Sequence, residues 1–452
     1  MSINLFIKKK LLEPRKAIIR YFQINDNLNK NEKLDILNER GNVDTIQWDE
    51  IHPDTKYNWL TRGIDVSFDA FLPLGTKEAK ISRQTNVESI FKKYSIGLST
   101  NRDSVVYDFN KNTLEHRLVQ FYENYKTELA RFQTKEKPPE IDSFVDYEKI
   151  KWSSTLKNHL KYSETGNFRQ EKITTALYRP FTTSFLYYDS VLIDRPGLFK
   201  DIFPLSLGNE NTMICVNQSM ERPFTVLASD FMADLHMCGG FGTGTQCFPF
   251  YTYTQDGNNR SENITDWAFN QYQTQYKDDK ITKKDIFNYV YGLLHSPVYR
   301  EKFEANLKRE LPHIPFAPDF WSFANAGKQL ADLHVNYETQ PEYKLTWIEE
   351  ESAKVHYRVD KMVLAKDKTK IKYNDFLTLA GIPPEVFEYR LGNRSALEWI
   401  IDQYQVSPNK RSGITNDPNR ADDPQYIVHL IGKIITVSLA TIKLVKSLPQ
   451  IN

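Results

Sequence analysis

The strongest constraint on the fold is a change in the period of the apolar residues partway along the chain. Within residues 176–253 they come in short runs, at 176–181, 185–188, 212–216, 224–228 and 248–253, separated by turn formers. Runs of that length, rich in β-branched and aromatic residues, specify short strands, and their spacing predicts a curved antiparallel sheet. From Lys283 the period becomes helical. Ile286, Tyr289, Val290 and Leu293 share one face of a helix predicted over 283–294, with Asp285 near its N-terminus. Further helices are predicted over 299–311, 320–333 and 395–404, with strand-like alternation over 357–371. A last helix aligns Ile427, Leu430, Ile431, Ile434, Ser438, Thr441 and Val445 along one stripe. Upstream, 105–109 reads as a strand. Leu114, Leu118, Phe121 and Leu129 mark a helix beginning at Thr113.

A chain of 452 residues exceeds one ordinary core, so two or three domains are expected. The net charge of +1 neither points to nucleic acid nor excludes it, because a DNA-binding face needs only local clusters of Lys and Arg. Cys215, Cys238 and Cys247 are too few for a disulfide framework, so a reducing, cytoplasmic location is expected. The apolar run at 3–7 ends in Lys8, Lys9 and Lys10 and is not followed by a signal-peptide pattern. The apolar C-terminal segment is interrupted by His429, Lys433, Lys443 and Lys446, which argues against a membrane span.

Tests for catalytic motifs return little. The cluster Gly239-Gly240-Phe241-Gly242-Thr243-Gly244 would need a following helix to cradle a phosphate or S-adenosylmethionine, yet Gln246-Cys247-Phe248-Pro249 reads as strand. Gly327-Lys328 is followed by Gln329, and no P-loop glycine precedes it. His236, Cys238 and Cys247 fit no zinc spacing. Pro53-Asp54-Thr55-Lys56 lacks the second carboxylate of a nuclease site. An amino-methyltransferase needs an Asn/Asp-Pro-Pro-aromatic turn, where polar groups accept the amino hydrogens of an everted base. The pairs at Pro138-Pro139 and Pro383-Pro384 lack both the preceding Asn or Asp and the following aromatic.

What remains is a set of arginines and asparagines in polar turns, several beside aromatics: Asn101-Arg102-Asp103, Tyr178-Arg179-Pro180, Asp194-Arg195-Pro196, Glu221-Arg222-Pro223, Asn393-Arg394-Ser395, Lys410-Arg411-Ser412 and Asn419-Arg420. Arg and Asn can make bidentate contacts to guanine and adenine edges, while Lys and Ser hold phosphates. The alternative for each arginine is structural, holding a carboxylate or loop carbonyls. Arg102 and Arg195, each beside an Asp, fit that alternative best.

Around these residues the chain resembles the C-terminal specificity domain of type ISP restriction-modification enzymes. The resemblance is carried by Ser99-Thr100-Asn101-Arg102-Asp103, Leu177-Tyr178-Arg179-Pro180-Phe181, Tyr187-Tyr188-Asp189, Arg195-Pro196 and Gln246-Cys247-Phe248-Pro249. It continues through His295-Ser296-Pro297-Val298-Tyr299-Arg300, Gly327-Lys328-Gln329-Leu330, Ser395-Ala396-Leu397-Glu398-Trp399 and Asn416-Asp417-Pro418-Asn419. The blocks run in order over about 87–449.

The resemblance implies an α+β protein. Residues 1–60 would be the C-terminal remnant of a methyltransferase domain, with 3–7 as its edge strand. Residues 61–280 would form a strand-rich part of a target recognition domain, and 281–452 a mainly helical part. The implied function is recognition of a short double-stranded DNA sequence, directing adenine-N6 methylation and restriction. The implied DNA-binding candidates are Asn101, Arg102, Arg179, Arg195, Arg222, Lys328, Asn393, Arg394, Lys410, Arg411, Asn419 and Arg420. No catalytic, cofactor or metal residue is expected in this chain. S-adenosylmethionine, ATP and Mg are implied for the full system, with an upstream methyltransferase, helicase and nuclease polypeptide as partner. Two rival readings are a specificity subunit of a split adenine methyltransferase and a non-functional fragment of a truncated enzyme.

Overall fold

In the computed structural model the described residues are 18–451, apart from 25–29, 54–56, 58, 60–62, 82–86, 136–139, 149, 205–210, 220–221, 239–243, 255–256, 258 and 411. The expected edge strand at 3–7, most of the glycine cluster, Asp54-Thr55-Lys56, Pro138-Pro139 and Arg411 lie outside them. The chain divides into two compact units, Met1–Ile64 and Asp65–Asn452.

In the first unit the strand Ile19–Tyr21 pairs antiparallel with Asp49–Ile51, and a helix spans Lys30–Arg40. Asn42 caps a 3₁₀ turn at Val43–Thr45 by accepting from the Asp44 N–H. None of its described residues is buried, and Ile18, Leu34, Leu37, Val43 and Trp48 are exposed.

The second unit is organised by a sheet buried on both faces. Its strand order is Ser95–Ile96, Gly244–Pro249, Met213–Gln218, Val226–Ser229. Side chains alternate across a strand. Ile214, Val216, Val226, Ala228 and Phe248 enter one core, whereas Met213, Cys215, Leu227 and Cys247 enter the other. Two-sided burial is why these strands read as continuous apolar runs. One core is closed by the helices Lys283–Leu293 and Phe320–Val335. Residues from both 61–280 and 281–452, the two parts of the recognition domain that the resemblance implies, contribute to it.

The other core holds a second sheet, ordered Met232–Ala233, Ile173–Arg179, Thr182–Tyr187, Tyr107–Asp108, with one parallel pair at its edge. The helix Lys111–Gln133 contributes Leu114, Leu118, Phe121, Tyr122 and Tyr125 to the same core; Asn110 caps the helix by accepting from the Thr113 N–H. The strand expected at 105–109 forms only over Tyr107–Asp108. Residues Asp103–Val106 make one helical turn, closed by the Val105 N–H on the Arg102 carbonyl. The run at 248–253 is two strands, Gly244–Pro249 and Tyr251–Tyr253, and the helix expected at 299–311 is two short ones, Pro297–Lys302 and Glu304–Leu307.

The C-terminal part also carries a four-stranded sheet, ordered Thr346–Glu349, Leu377–Ala380, Lys370–Lys372, Val363–Leu364. A capping box at Ser395 and Glu398 starts the helix Ala396–Gln403. Tyr426–Lys446 is, among the described residues, the one helix long and apolar enough to cross a membrane. Its Ile427, Leu430, Ile431, Ile434 and Ile435 are buried inside the fold.

The two helices over the first core cross at Gly292 and Gly327. A Cβ on Gly327 would overlap the Asn288 carbonyl, and one on Gly292 the Phe323 carbonyl. The glycine of Gly327-Lys328 thus permits close helix packing, and Lys328 pairs with Asp332 on the exposed face at 2.9 Å. In urea unfolding, Gly327→Ala is expected to lose about 3 kcal/mol, an overpacking cost, and Lys328→Ala less than about 0.5 kcal/mol. Equal effects would contradict this packing.

Between the cores, the Tyr291 hydroxyl accepts from the Ala228 N–H and donates to His334 Nδ1 at 2.7 Å. His334 Nε2 in turn donates to Thr441 Oγ1 at 2.8 Å. Burial depresses the His334 imidazole from its ordinary 6.5 to about 3, and pushes His295 well below its usual value with help from the Arg300 charge. Both are neutral in the fold, so the unfolded chain takes up protons first. Stability should fall below about pH 6.5 by about 1.4 kcal/mol per pH unit for each histidine. Urea midpoints measured between pH 7.5 and 4.5 check this, and His334→Gln should flatten the slope.

Candidate nucleic-acid interface

The turn at Ser99–Asp103 is set by its own residues. Asn101 adopts a left-handed φ of 54°, Thr100 Oγ1 bonds the Asp103 carboxylate, and the Arg102 N–H donates to Thr100 Oγ1 at 3.1 Å. Ser99 and Arg195 exchange both backbone hydrogen bonds, at 3.1 and 2.9 Å, so the loop ending at Arg195 is fixed beside the turn. Arg102 is wholly buried. Its Nη1 donates to the Leu192 carbonyl at 2.8 Å and its Nη2 to Ser153 Oγ at 2.5 Å, with Asp194 Oδ1 3.4 Å away. Ser153 Oγ donates to Asp194 Oδ1 at 2.7 Å, and Asn101 Nδ2 to Asp194 Oδ2 at 2.6 Å. Arg102 is thus a fastener and does not reach the surface.

A second Arg–Asp pair stands at the end of the strand Ile173–Arg179. Arg179 Nη1 donates to Asp234 Oδ1 at 2.7 Å, and its guanidinium lies 3.9 Å from the centroid of the Tyr178 ring. The Tyr178 hydroxyl donates to Asp103 Oδ2 at 3.1 Å. Burial lifts the Asp234 carboxyl to about 6 against the pull of Arg179. In a third pair, Arg117 binds the Asp108 carboxylate, and its Nη1 donates to the Ser104 and Tyr107 carbonyls at 3.0 and 3.1 Å.

These fastened segments form one wall of a cleft of about 590 Å³, and the other wall is the hairpin Ser407–Pro408 with Thr415–Asn416. The hairpin tip is organised: the Asn409 N–H donates to the Ile414 carbonyl and the Gly413 N–H to the Asn409 carbonyl, both at 2.8 Å, with Gly413 at φ 71°. Asn101, Arg179, Asp103, Asp108, Asp234, Lys151, Asp402 and Asn416 all face the cleft.

Of the residues singled out in the sequence, Asn101 and Arg179 therefore line one concavity. Arg195 adjoins it with an exposed side chain, and Lys410 is exposed on the hairpin tip. Arg394 donates to Asp402 at 2.8 Å and so supports the cleft from behind, while Asn393 is exposed in the preceding turn. The rest do not line the cleft. Arg222 is half-buried in a turn, and its N–H donates to Ser219 Oγ. Asn419 brackets Val359 through the backbone N–H and carbonyl, at 2.8 Å each, and Arg420 lies 3.3 Å from the centroid of the Tyr426 ring. The sequence reading missed Asp103, Asp108, Arg117, Lys151, Asp234, Asp402 and Asn416. An arginine in a turn signals a carboxylate partner, but nothing local says which one when the partner is 55 or more residues away.

Among the described residues neither glycine motif stands at a helix N-terminus, the position that would cradle a phosphate. The glycine cluster runs into the strand Gly244–Pro249, and Gly327-Lys328 lies inside the helix Phe320–Val335. Among the described residues no group of three His, Cys, Asp or Glu could hold a metal. Cys215, Cys238 and Cys247 are buried free thiols.

Removing the Arg102 guanidinium would leave Asp194 nearly buried and without its cation. Arg102→Ala should cost about 3 to 5 kcal/mol in denaturant unfolding. A loss under about 1 kcal/mol would show that the wall does not depend on this pair.

The sequence profile of the Type ISP C-terminal specificity domain matches residues 89–430. No curated protein matches. Among solved structures, the chain resembles a nuclease-deletion mutant of the Type ISP restriction-modification enzyme LlaGI in complex with a DNA substrate mimic, with 32% identity and a TM-score of 0.85 over 97% of this chain and 40% of that one. The DrdV–DNA complex gives 31% identity and a TM-score of 0.85 over 96% of this chain and 43% of that one. The ATP-dependent Type ISP restriction-modification enzyme LlaBIII bound to DNA gives 31% and 0.82 over 97% of this chain and 28% of that one. The chain thus spans less than half the length of these relatives. With the profile covering well over half of its residues, this chain belongs to the Type ISP C-terminal specificity domain family.

Proposed function

We propose that this chain recognises a short sequence in double-stranded DNA within a restriction-modification system, directing adenine-N6 methylation and restriction performed by other polypeptide segments. The observation that carries the reading is one of coincidence. The residues matched by the family, which the DNA-bound relatives also cover, include every segment that builds the cleft. The chemistry agrees with it. Phosphates would be held by the exposed cations Arg195, Lys410 and Lys151, and base edges read by polar side chains on the fastened wall and the hairpin. In this reading S-adenosylmethionine, ATP and Mg act in the other segments, and the cytoplasm keeps the three thiols reduced.

The test is selection of bound duplexes from a random pool, followed by anisotropy titration across salt concentrations. Wild type should enrich one sequence. Lys410→Ala should weaken binding to all duplexes alike and reduce the slope of log affinity against log salt by about one. Failure to enrich any sequence contradicts the proposal.

A further inference from the structure

The four-stranded sheet of the C-terminal part has one face in the core and one in solvent. In the strand Lys370–Lys372 the middle residue, Ile371, is fully buried and pairs across the sheet with the buried Leu379. Side chains alternate along a strand, so Lys370 and Lys372 both stand on the outer face. Thr378 and Val363 lie directly across from Lys372, and Ile348 and Thr346 continue the face to the sheet edge. No described strand residue on this face carries a carboxylate.

Lys370 and Lys372 are exposed and form no ion pair with a described carboxylate, whereas Lys368 binds Glu398 at 2.9 Å. Asp367, in the turn before them, is engaged by Thr369, whose N–H and hydroxyl donate to it at 3.1 and 2.9 Å. Residues two apart on a strand are separated by about 7 Å. That is inside the screening length of about 8 Å at physiological salt, so the two ammonium groups repel each other and an anion between them is stabilised. Lysine charges beside a threonine hydroxyl suit phosphates, which fix position without reading sequence.

The sheet adjoins the hairpin wall of the cleft. The Val406 N–H donates to the Asp360 carbonyl at 3.0 Å, Arg358 Nη1 pairs with Asp417 at 2.9 Å, and Asn419 Nδ2 donates to the Val359 carbonyl at 2.8 Å. Residues 358–360, which lead into the strand Val363–Leu364, are thereby fixed against both ends of the segment that forms the hairpin Ser407–Pro408 with Thr415–Asn416.

We propose that the outer face of this sheet is a second DNA contact, in which Lys370, Lys372 and Thr378 hold backbone phosphates flanking the recognised sequence. The proposal rests on the DNA-recognition reading and adds a sequence-independent grip beside the cleft.

The experiment is an anisotropy series with the full chain, using the selected duplex either alone or extended by random flanks, across salt concentrations. Wild type should bind the extended duplex about tenfold more tightly than the short one, and Lys370→Ala/Lys372→Ala should lose that gain and reduce the salt slope by about two. The enriched sequence should stay the same. The control is Lys277→Ala/Lys280→Ala, which removes the same charge from an exposed loop after the helix Asp266–Tyr276, an element of the other core. It should keep both the gain and the slope. If the Lys370/Lys372 variant keeps them, or the control loses as much, the sheet contact is overturned and DNA recognition stands. If wild type binds no duplex, both fall. Should the alanine pair disturb the sheet, Lys370→Gln/Lys372→Gln keeps the side-chain stems and decides.

Discussion

The buried pair of Arg102 and Asp194 is the interaction on which the wall of the cleft depends. Removing a guanidinium and a carboxylate from water costs several kcal/mol each, and their attraction returns that cost only when every remaining donor and lone pair is satisfied. Here Ser153, Asn101 and the Leu192 carbonyl supply most of those partners. Such a pair adds little net stability, but it tolerates very few alternative arrangements. It joins residues 99–103, 153 and 191–195 into one unit. Arg179 with Asp234 and Arg117 with Asp108 repeat the device. The wall of the cleft is therefore held in one arrangement by its own pairs, and in the proposed reading that lowers the entropy lost on binding.

The frame beneath that wall comes from burial. The sheet of Gly244–Pro249, Met213–Gln218 and Val226–Ser229 has no solvent face, because alternate side chains feed two separate cores. The crossing at Gly292 and Gly327 lets the helices Lys283–Leu293 and Phe320–Val335 lie close enough to cover one of them. The other core holds the strand that presents Arg179 and the helix that presents Arg117. Rigidity at the site thus follows from packing that lies away from it.

Local pattern made much of this legible. The apolar stripe of Lys111–Gln133, the capped helix at Lys283 and the short strands from Ile173 onward follow from period and capping alone. The strands at Thr346–Glu349 and Leu377–Ala380 were not visible. The first is wholly exposed and the second only half-buried, so neither presents a run that period detects. At the site, Arg102 and Arg195 both suggested structural roles through a neighbouring Asp. Arg102 has one, but through Asp194, 92 positions away by its number. The Arg195 side chain, in contrast, is exposed. Sequence distance hides such exchanges because only the fold decides which carboxylate a buried guanidinium meets.

Hydrogen exchange measured with and without a selected duplex tests the central claim most directly. Slowed exchange should concentrate in residues 99–103, 178–180 and 407–416, the segments that enclose the cleft. Protection confined to other surfaces, such as the exposed strand Thr346–Glu349, with these three segments unchanged, would contradict the account.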